Sequence, residues 1–472
     1  MKVKINLDSN FIYLNDDRYV IGFDGKTLTS TDCVLNKTKI NSYFLNTIYT
    51  KYYINKYLRL KDFITKIKPT VKKIKIMGFN GDNRFLFGIN NIELTANVFI
   101  LWFYLKFVID SIISPIKILI YWFVTSIFIF FISFPKKKVN TNIFVYANCN
   151  ASYKNLIKYL KFNKIDSKII SDPVNIKKGE ANIFQLVSTW NILKILFNSL
   201  VSSYNLFYKS VFEFKILFKS KITVSVCYDY LVKRVVYSEI SRLSLSDYIS
   251  KNKHKIKSFI SGCRDERYST YQQRICERNN IKSICVPHGL AYSYKYPHGL
   301  FGNEYLCFSA SEQNYLKKIF TQNPEKYVLN VPWIENLLRR DSTNEYKFVY
   351  CTDSRNIKED YKLLEFLSKS YKIVYVKLHP NDRESNYNNL KNIKFLSDLS
   401  EAFKAKTFIS RASTILLDSS YNNKLALAIC ISEHDNYLIK LYPGLDDKKI
   451  KRVKSKKELK QLINFENFNS AK

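Results

Sequence analysis

The sequence contains no pair of cysteines at Cys-x-x-Cys spacing and no cluster of cysteines with histidines, although it has nine cysteines and five histidines. Structural zinc sites and the disulfide frameworks of secreted domains depend on such spacings, so the sequence argues against both. Residues 1–26 also lack an apolar run after their basic residues, and no secretory signal is predicted there. We therefore expect a reduced, intracellular protein.

Acidic residues are scarce as well. Forty aspartates and glutamates stand against 75 lysines and arginines, which gives a formal net charge of +35. A chain this basic is attracted to nucleic acid or to an anionic membrane surface. Compositional bias of the genome explains most of the charge, because the lysines are spread along the whole chain. Without a basic patch that has interleaved aromatics, a nucleic-acid partner is not expected.

One long apolar segment, NVFILWFYLKFVIDSIISPIKILIYWFVTSIFIFFISFPKKK, covers residues 97–138. Its second half, 118–134, has no charged residue and is slightly short of the roughly 20 residues that span a bilayer. Pro115 separates it from a first apolar run at 98–109, and lysines on both flanks indicate that both ends stay in the cytoplasm. We expect a membrane-associated helical hairpin over residues 94–138; a buried pair of core helices is the alternative.

After the hairpin, apolar strands alternate with amphipathic helices, which is typical of a parallel α/β sheet. The polar stretch VPWIENLLRRDSTNE interrupts the alternation and is a predicted linker. The predicted fold class is therefore α/β, with two Rossmann-like parallel-sheet domains that face a cleft and an apolar helical hairpin near the N-terminus. We place the first domain at 139–330 and the second at 345–472. The segment 1–93 is either a separate element or part of the first domain.

Clusters of polar residues follow several predicted strands, which is where ligands bind in open parallel sheets. In the first domain the clusters are His288 with Gly289, and Arg264 with Asp265 and Glu266. In the second domain they are Thr352 and Ser354 after YKFVYC, Lys377, His379 and Pro380 at the end of KIVYVKLHP, and Ser410, Arg411, Ser413, Thr414 and Asp418 after TFI.

The residue types in the second domain suit a phosphate. Ser413 and Thr414 open a predicted helix, and hydroxyls with backbone N–H groups at a helix N-terminus bind anions; an ordinary helix cap is the alternative. Lys377 and His379 are two residues apart, so they point to the same side of their strand and would bracket a nucleotide phosphate. Pro380 keeps the residue before it extended. A turn histidine with a structural role is the alternative for His379.

The residue types in the first domain suit proton transfer. His288 is a candidate general base or acid, because imidazole titrates near neutral pH. Gly289 would allow close approach of a substrate or an unusual backbone angle. Asp265 or Glu266 is the alternative base, with His288 then acting as an electrophile. His298 has no strand before it and is predicted to lie in a loop.

The order of these motifs resembles bacterial surface-polysaccharide glycosyltransferases of the GT-B fold. His-Gly comes first, then Lys-x-His-Pro, then Ser-x-x-Ser-Thr-x-x-x-Asp. Capsule Kdo and polysialic acid transferases and teichoic acid glycerophosphotransferases are similar in this respect. The stretch ISGCRDERYSTYQQRICERNNIKSICVPHGL also resembles their pattern of a strand, a turn with an acid, a helix and a strand ending in His-Gly. The resemblance covers residues 254–430.

The resemblance implies a glycosyltransferase whose donor is a cytidine nucleotide, CMP-sugar or CDP-alditol, bound by the second domain. His379 and the turn at Ser413 and Thr414 would hold the donor phosphate, and His288 or an acid near Glu266 would activate the acceptor hydroxyl. Inversion and retention both stay open. No cofactor or metal ion is expected, since no Asp-x-Asp ends a predicted strand. With the hairpin and the basic charge, the expected acceptor is a lipid-linked glycan at the cytoplasmic face of the plasma membrane.

Two other functions stay open. A nucleotide-sugar epimerase on the same fold also places His-Pro near a strand end, but a Ser-Gly-Gly turn is missing before the final helix and such a soluble enzyme needs no membrane segment. A basic membrane-bound nucleic-acid-binding or scaffold protein would account for the charge. It would not account for motifs at the ends of several strands.

Overall fold

The structure is a computed structural model, and it describes only part of the chain. The described residues are 2–6, 11–14, 17–20, 73–77, 97–139, 142–174, 181–218, 221–264, 267–293, 299–329, 345–353, 357–380, 382–432, 435–436, 439 and 442–465. They form three β-sheets with helices around the two larger ones.

The N-terminal segment has a small sheet of its own. Its strands are β1 (Lys2–Asn6), β2 (Phe11–Leu14), β3 (Asp17–Val20) and β4 (Lys73–Met77). The order is β3-β2-β1-β4, in which β1 pairs antiparallel with β2 and parallel with β4. These strands therefore do not extend the sheet of the first α/β domain.

A single helix replaces the hairpin predicted at 94–138. Helix α1 (Asn97–Ile132) runs for 36 residues without interruption, and Pro115 lies inside it. That prediction is wrong, because a proline removes only one helical hydrogen bond and neighbouring helices can support the helix at that point. Here the Tyr204 hydroxyl donates to the Pro115 carbonyl at 2.7 Å, and the Ser111 hydroxyl donates to the Tyr228 hydroxyl at 3.3 Å.

The first α/β domain is built on a seven-stranded sheet. Its strands are β5 (Ile143–Ala147), β6 (Ile169–Ser171), β7 (Ala181–Asn182), β8 (Ser258–Ser261), β9 (Lys282–Cys285), β10 (Glu304–Cys307) and β11 (Tyr327–Leu329). The order is β11-β10-β9-β8-β5-β6-β7, and strands β5 to β10 pair in parallel.

Helices follow these strands as the alternating pattern predicts. They are α2 (Asn150–Phe162), α3 (Ile183–Leu186), α4 (Thr189–Phe218), α5 (Lys221–Asn252), α6 (Arg267–Arg278) and α7 (Ala310–Ile319). The strand core is aromatic: the Phe144 and Phe259 rings of neighbouring strands stack at 5.4 Å. Helices cover both faces of such strands, which explains why β5 is a continuous apolar run.

The second α/β domain has a six-stranded sheet that is parallel throughout. Its strands are β12 (Tyr346–Cys351), β13 (Val374–Lys377), β14 (Ile393–Phe395), β15 (Ala405–Ser410), β16 (Leu425–Ile429) and β17 (Ile450–Val453), in the order β14-β13-β12-β15-β16-β17. The helices are α8 (Ile357–Ser370), α9 (Leu399–Ala402), α10 (Ile415–Tyr421) and α11 (Lys456–Phe465). The predicted fold class, two parallel-sheet α/β domains, is confirmed.

The chain divides into two compact units that differ from the predicted domain limits. One unit contains residues 1–288 and 294–305, and the other contains 289–293 and 306–472. Helix α7 belongs to the second unit because it contacts the short 3-10 helix Pro443–Leu445, where the hydroxyl of Ser309 donates to the Gly444 carbonyl at 3.2 Å. The predicted linker at 331–344 lies outside the described residues.

Candidate functional site

The six-stranded sheet brings several predicted residues to one edge. Strands β12, β13, β15 and β16 are parallel, so the residues that follow them all lie at the carboxyl edge of the sheet. Thr352 follows β12, His379 follows β13 and Arg411 follows β15. Neighbouring strands are about 4.8 Å apart, which places these groups within reach of one small ligand.

Thr352 joins the ends of two neighbouring strands. Its backbone N–H donates to the Lys377 carbonyl at 3.1 Å, and its hydroxyl accepts from the backbone N–H of His379 at 2.9 Å. The His379 carbonyl accepts from the Asp382 N–H at 2.8 Å. The backbone of His379 is thus held on both sides, while its imidazole is half-buried at the edge. These bonds are made to the main-chain groups of His379 and do not depend on its imidazole.

Asp382 supports the same turn. Its carboxylate accepts from the Tyr387 hydroxyl at 2.7 Å and from the Asn386 amide at 2.8 Å. Burial raises the pKa of Asp382, but the hydrogen bonds from Tyr387, Thr352 and Asn386 outweigh it and lower the pKa below its usual value. The carboxylate therefore stays ionised, and it fixes the turn that follows His379.

Arg411 is enclosed within the domain. Only 2% of its side chain is exposed, and its guanidinium forms an ion pair with Asp435. Its Nε atom lies 4.0 Å from a carboxylate oxygen of Asp360. The predicted contact of Arg411 with a nucleotide is untested, but its contacts in the structure are with these two carboxylates. We assign it a positioning role, in which it stabilises the strand ends from inside.

Asp360, which the sequence did not single out, is the centre of this buried network. It accepts from the Tyr350 hydroxyl at 2.5 Å and from the Asp353 backbone N–H at 2.7 Å. Burial raises the pKa of Asp360 to about 7, although hydrogen bonds from Tyr350 and Asp353 and the charge of Arg411 oppose the increase. A signal exists in the sequence: Asp360 shares the buried face of α8 with Leu363, Leu364 and Leu367.

The Tyr350→Phe variant is expected to lower the free energy of unfolding by about 1–2 kcal/mol, because a buried carboxylate loses a hydrogen bond. Because the pKa of Asp360 is raised by folding, the protonated Asp360 contributes to the free energy of unfolding, and this contribution is lost as the pH rises from about 4 to about 7. Without the tyrosine that pKa rises further, so the deficit should be larger at about pH 8 than at about pH 5. Thermal unfolding of both proteins at these two pH values measures this; an equal deficit at both would contradict it.

The hydroxyls after β15 have two different environments. Ser410 is buried, and its hydroxyl donates to the Cys351 carbonyl at 2.9 Å, so it connects β15 to β12. Ser413 and Thr414 are half-buried at the edge. The Ser413 hydroxyl accepts from the Ile415 N–H at 3.4 Å, and the Thr414 side chain does not cap helix α10. Asp418 is half-buried inside that helix of seven residues.

The carboxyl edge of the seven-stranded sheet carries the predicted residues of the first domain. Arg264 follows β8 and His288 follows β9, and these two strands are parallel neighbours. Arg264 is buried, whereas His288 is half-buried. The Asn155 amide donates to the Pro287 carbonyl at 3.0 Å and so fixes the backbone just before His288. The two strands bring an imidazole and a guanidinium to the same edge.

At Gly289 the sequence predicts close approach of a substrate or an unusual backbone angle. The backbone of this glycine is outside the left-handed region, so the unusual backbone angle is not found. A Cβ atom at this position would have no heavy atom within 4 Å. The space beside the α-carbon of Gly289 is therefore open.

One buried carboxylate that directly follows a strand of this sheet is not among the residues predicted from the sequence. Asp172 directly follows β6 and accepts from the Tyr237 hydroxyl and the Val174 N–H, both at 2.9 Å. Its position after a strand was the available signal.

Glu312 has a different role, within the second unit. Its carboxylate accepts from the N–H groups of Ala291 and Phe308, both at 2.6 Å, and so fixes the loop that follows His-Gly. Ser309 caps the same helix by accepting from the Glu312 N–H at 3.1 Å. The spacing Ser-x-x-Glu, typical of a capping box, was the signal for it.

Several predicted residues lie outside the described residues. They are Asp265, Glu266, His298 and Ser354. Among the residues that the structure describes, no group of three or more histidine, cysteine or carboxylate side chains is arranged to hold a metal ion.

No family model and no curated protein matches the chain. Among solved structures it is similar to the wall teichoic acid polymerase TagF, with 13% identity and a TM-score of 0.39 over 80% of this chain and 91% of that chain. It is also similar to the UDP-GlcNAc 2-epimerase from Neisseria meningitidis bound to UDP-GlcNAc, with 11% identity and a TM-score of 0.39 over 69% of this chain and 92% of that chain. At these TM-scores the similarities assign no family, no substrate and no residue role to this chain.

Proposed function

We propose that this chain is a metal-independent glycosyltransferase. It moves a sugar or an alditol phosphate from a nucleotide-activated donor, cytidine-based by the resemblance of its motifs, to a lipid-linked surface glycan. The reaction takes place at the cytoplasmic face of the plasma membrane, where a basic protein is attracted to anionic lipid. The proposal rests on the polar groups at the carboxyl edges of both parallel sheets.

The observation that carries the proposal is the edge formed by β12, β13 and β15. Lys377, His379, Ser413 and Thr414 are half-buried there, so their polar groups remain accessible to a ligand. An ammonium, an imidazole and two hydroxyls suit the phosphates of a nucleotide. In open parallel sheets, ligands bind just outside this edge. The turns that carry these four side chains are fixed by the hydrogen bonds of Thr352 and Asp382 and by the ion pair of Arg411 with Asp435.

His288 is the proposed general base. It takes the proton from the acceptor hydroxyl as that oxygen bonds to the anomeric carbon of the donor sugar, or to the phosphorus of an alditol phosphate. The bond from this atom to the nucleotide phosphate breaks, and the electron pair leaves with the phosphate oxygen. Lys377 and His379 stabilise the negative charge that develops on the leaving nucleotide.

Nucleotide binding provides the first test. Cytidine nucleotides are expected to raise the midpoint of thermal unfolding of the full chain more than UDP or GDP. The His379→Ala variant should bind them about 10- to 100-fold more weakly, because a bond from a charged or polar donor to phosphate is lost. The variant should fold, since the main-chain bonds of residue 379 remain.

His254→Ala is the matched control, because this exposed histidine lies in the turn between α5 and β8. If no nucleotide stabilises the chain while DNA binds it in a salt-sensitive manner, the proposal is wrong and the nucleic-acid alternative stands. Conversion of UDP-GlcNAc without transfer to any acceptor would support the epimerase instead. A panel of nucleotide sugars incubated with membranes then identifies the donor.

A further inference from the structure

Helices α1 and α4 expose large apolar side chains. On α1 these include Ile112, Ile116, Phe123 and Phe131, the last of which is 70% exposed. On α4 they recur at spacings of three, four or seven residues and so form one stripe, which consists of Trp190, Leu193, Phe197, Val201, Tyr208 and Phe212. Soluble proteins rarely leave so large an apolar surface uncovered.

The two helices lie side by side. Trp122 of α1 donates from its indole nitrogen to the Leu196 carbonyl of α4 at 2.8 Å, and it lies 3.2 Å from the Ser199 hydroxyl. The Tyr204 hydroxyl of α4 donates to the Pro115 carbonyl of α1. The apolar residues of both helices therefore belong to one continuous surface, which we call the α1–α4 face.

The helices of this layer bury small polar residues among their apolar ones, while large apolar residues remain on the outside. The buried positions of α1, α4 and α5 are rich in serine: Ser114, Ser126, Ser199, Ser203, Ser210, Ser238, Ser241 and Ser244. Small residues between helices and apolar residues outside are the pattern of helices packed in lipid. Residues 108–132 of α1 are long and apolar enough to cross a membrane, about 37 Å at 1.5 Å per residue, and 11% of their most apolar stretch is buried. Lys136, Lys137 and Lys138, all exposed, follow this helix.

A basic cavity lies next to the α1–α4 face. Its volume is about 300 Å³, and residues of α4, α5 and α6 line it. Its charged lining residues are Lys209, Glu239, Arg242, Arg274 and Arg278, that is, four cations against one anion. Lys209 directly follows Tyr208 of the apolar stripe, so α4 carries both surfaces on adjacent faces.

One arginine of the cavity is held in a fixed orientation. The buried Glu239 carboxylate accepts from Arg242 Nε at 2.9 Å and from Nη2 at 2.7 Å. It also accepts from the Ser202 hydroxyl of α4. An arginine that a carboxylate holds through Nε and Nη2 loses less conformational entropy when the rest of its guanidinium group binds an anion. The cavity is thus a preorganised site with an excess of positive charge.

We propose that the α1–α4 face contacts the acyl chains of a bilayer and that the adjacent cavity binds the phosphate group of a lipid in that bilayer. The chemistry of the two surfaces is complementary to the two parts of such a lipid: hydrocarbon meets the apolar stripe, and phosphate meets the arginines. The proposal does not depend on sugar transfer. It extends the proposed function by giving a phosphate-bearing lipid a defined place on the enzyme.

Flotation with vesicles tests the cavity. The full chain is expected to bind phosphatidylcholine vesicles, and to bind more tightly when they contain phosphatidic acid. The Arg274→Gln/Arg278→Gln variant should lose this preference by about 10- to 100-fold, since two arginine–phosphate contacts are removed. The control Lys154→Gln/Lys158→Gln changes the same charge on the exposed side of α2 and should keep the preference.

Two further measurements make the outcome decisive. Phe197→Asp/Phe212→Asp should abolish binding to phosphatidylcholine vesicles, whereas Ile373→Asp, at an exposed apolar residue of the second unit, should not. If the arginine variant keeps its preference for phosphatidic acid, the cavity assignment is wrong. The assignment is also wrong if soluble glycerol phosphate raises the midpoint of thermal unfolding as much as phosphatidic acid vesicles do. The midpoint of thermal unfolding of each variant without ligand shows that it is folded. Nucleotide titration of the unchanged chain then separates failure of the lipid site from failure of the proposed transferase.

Discussion

The His288→Ala variant is expected to transfer sugar about 10²- to 10⁴-fold more slowly, the usual contribution of a general base. Nucleotide binding should change little, because the proposed donor site is on the other sheet. The imidazole is half-buried after β9, and its backbone is held by the bond from Asn155 to Pro287.

Single-turnover transfer rates, together with nucleotide titrations, measure both halves of this prediction. The variant should also lose the decline in rate at acidic pH that protonation of a general base produces. His254→Ala should behave like the unchanged chain. A rate within about twofold of the original would exclude His288 as the base. Glu266→Gln and Asp265→Asn would then be expected to show the large effect.

The Arg411→Met variant is expected to lower the free energy of unfolding by about 3–5 kcal/mol, the usual cost of removing one partner from a buried ion pair. The guanidinium is 2% exposed, and its loss leaves the buried Asp435 without its partner. Asp360 loses a cation 4.0 Å away as well. Hydrogen exchange at the amides of β12, β15 and β16 measures the change in the domain that contains the pair.

An exposed ion pair in the same domain is the matched control. Arg452 pairs with Asp446, and both side chains are accessible to solvent. Arg452→Met should cost about 0–1 kcal/mol, as exposed ion pairs contribute little. Adding Asp435→Asn to Arg411→Met should recover part of the lost stability, because the uncompensated charge is removed as well. A loss of less than about 1 kcal/mol for Arg411→Met would contradict the assignment of Arg411 to a buried positioning role.

The sequence predicted the elements that depend on local pattern. Continuous apolar runs such as those of β5 and β16 identify buried parallel strands, and polar residues directly after them identify the carboxyl edges of the sheets. For this reason His288, His379 and the hydroxyls after β15 could be selected without a structure. The predicted hairpin is wrong because it places a turn at Pro115, whereas the helix continues through this proline.

The buried carboxylates show the limit of local pattern. Each accepts a hydrogen bond from a group well separated in sequence: Asp360 from Tyr350, 10 residues away, Asp172 from Tyr237, 65 residues away, and Glu312 from Ala291, 21 residues away. Whether an acidic residue is solvated or enclosed depends on the packing around it. The same holds for Arg411, which the sequence assigns to a ligand and the structure places beside two carboxylates.

The sequence by itself determined the two parallel α/β sheets, the positions of their strand ends and the presence of a long apolar segment, because periodicity and residue type act over short distances along the chain. Only the tertiary structure decided that this segment is one helix, that α4 extends its apolar face, and that Lys209, Arg242 and Arg274 surround one cavity. Those features arise where separate helices pack together, and the contacts that create them have no trace in local spacing.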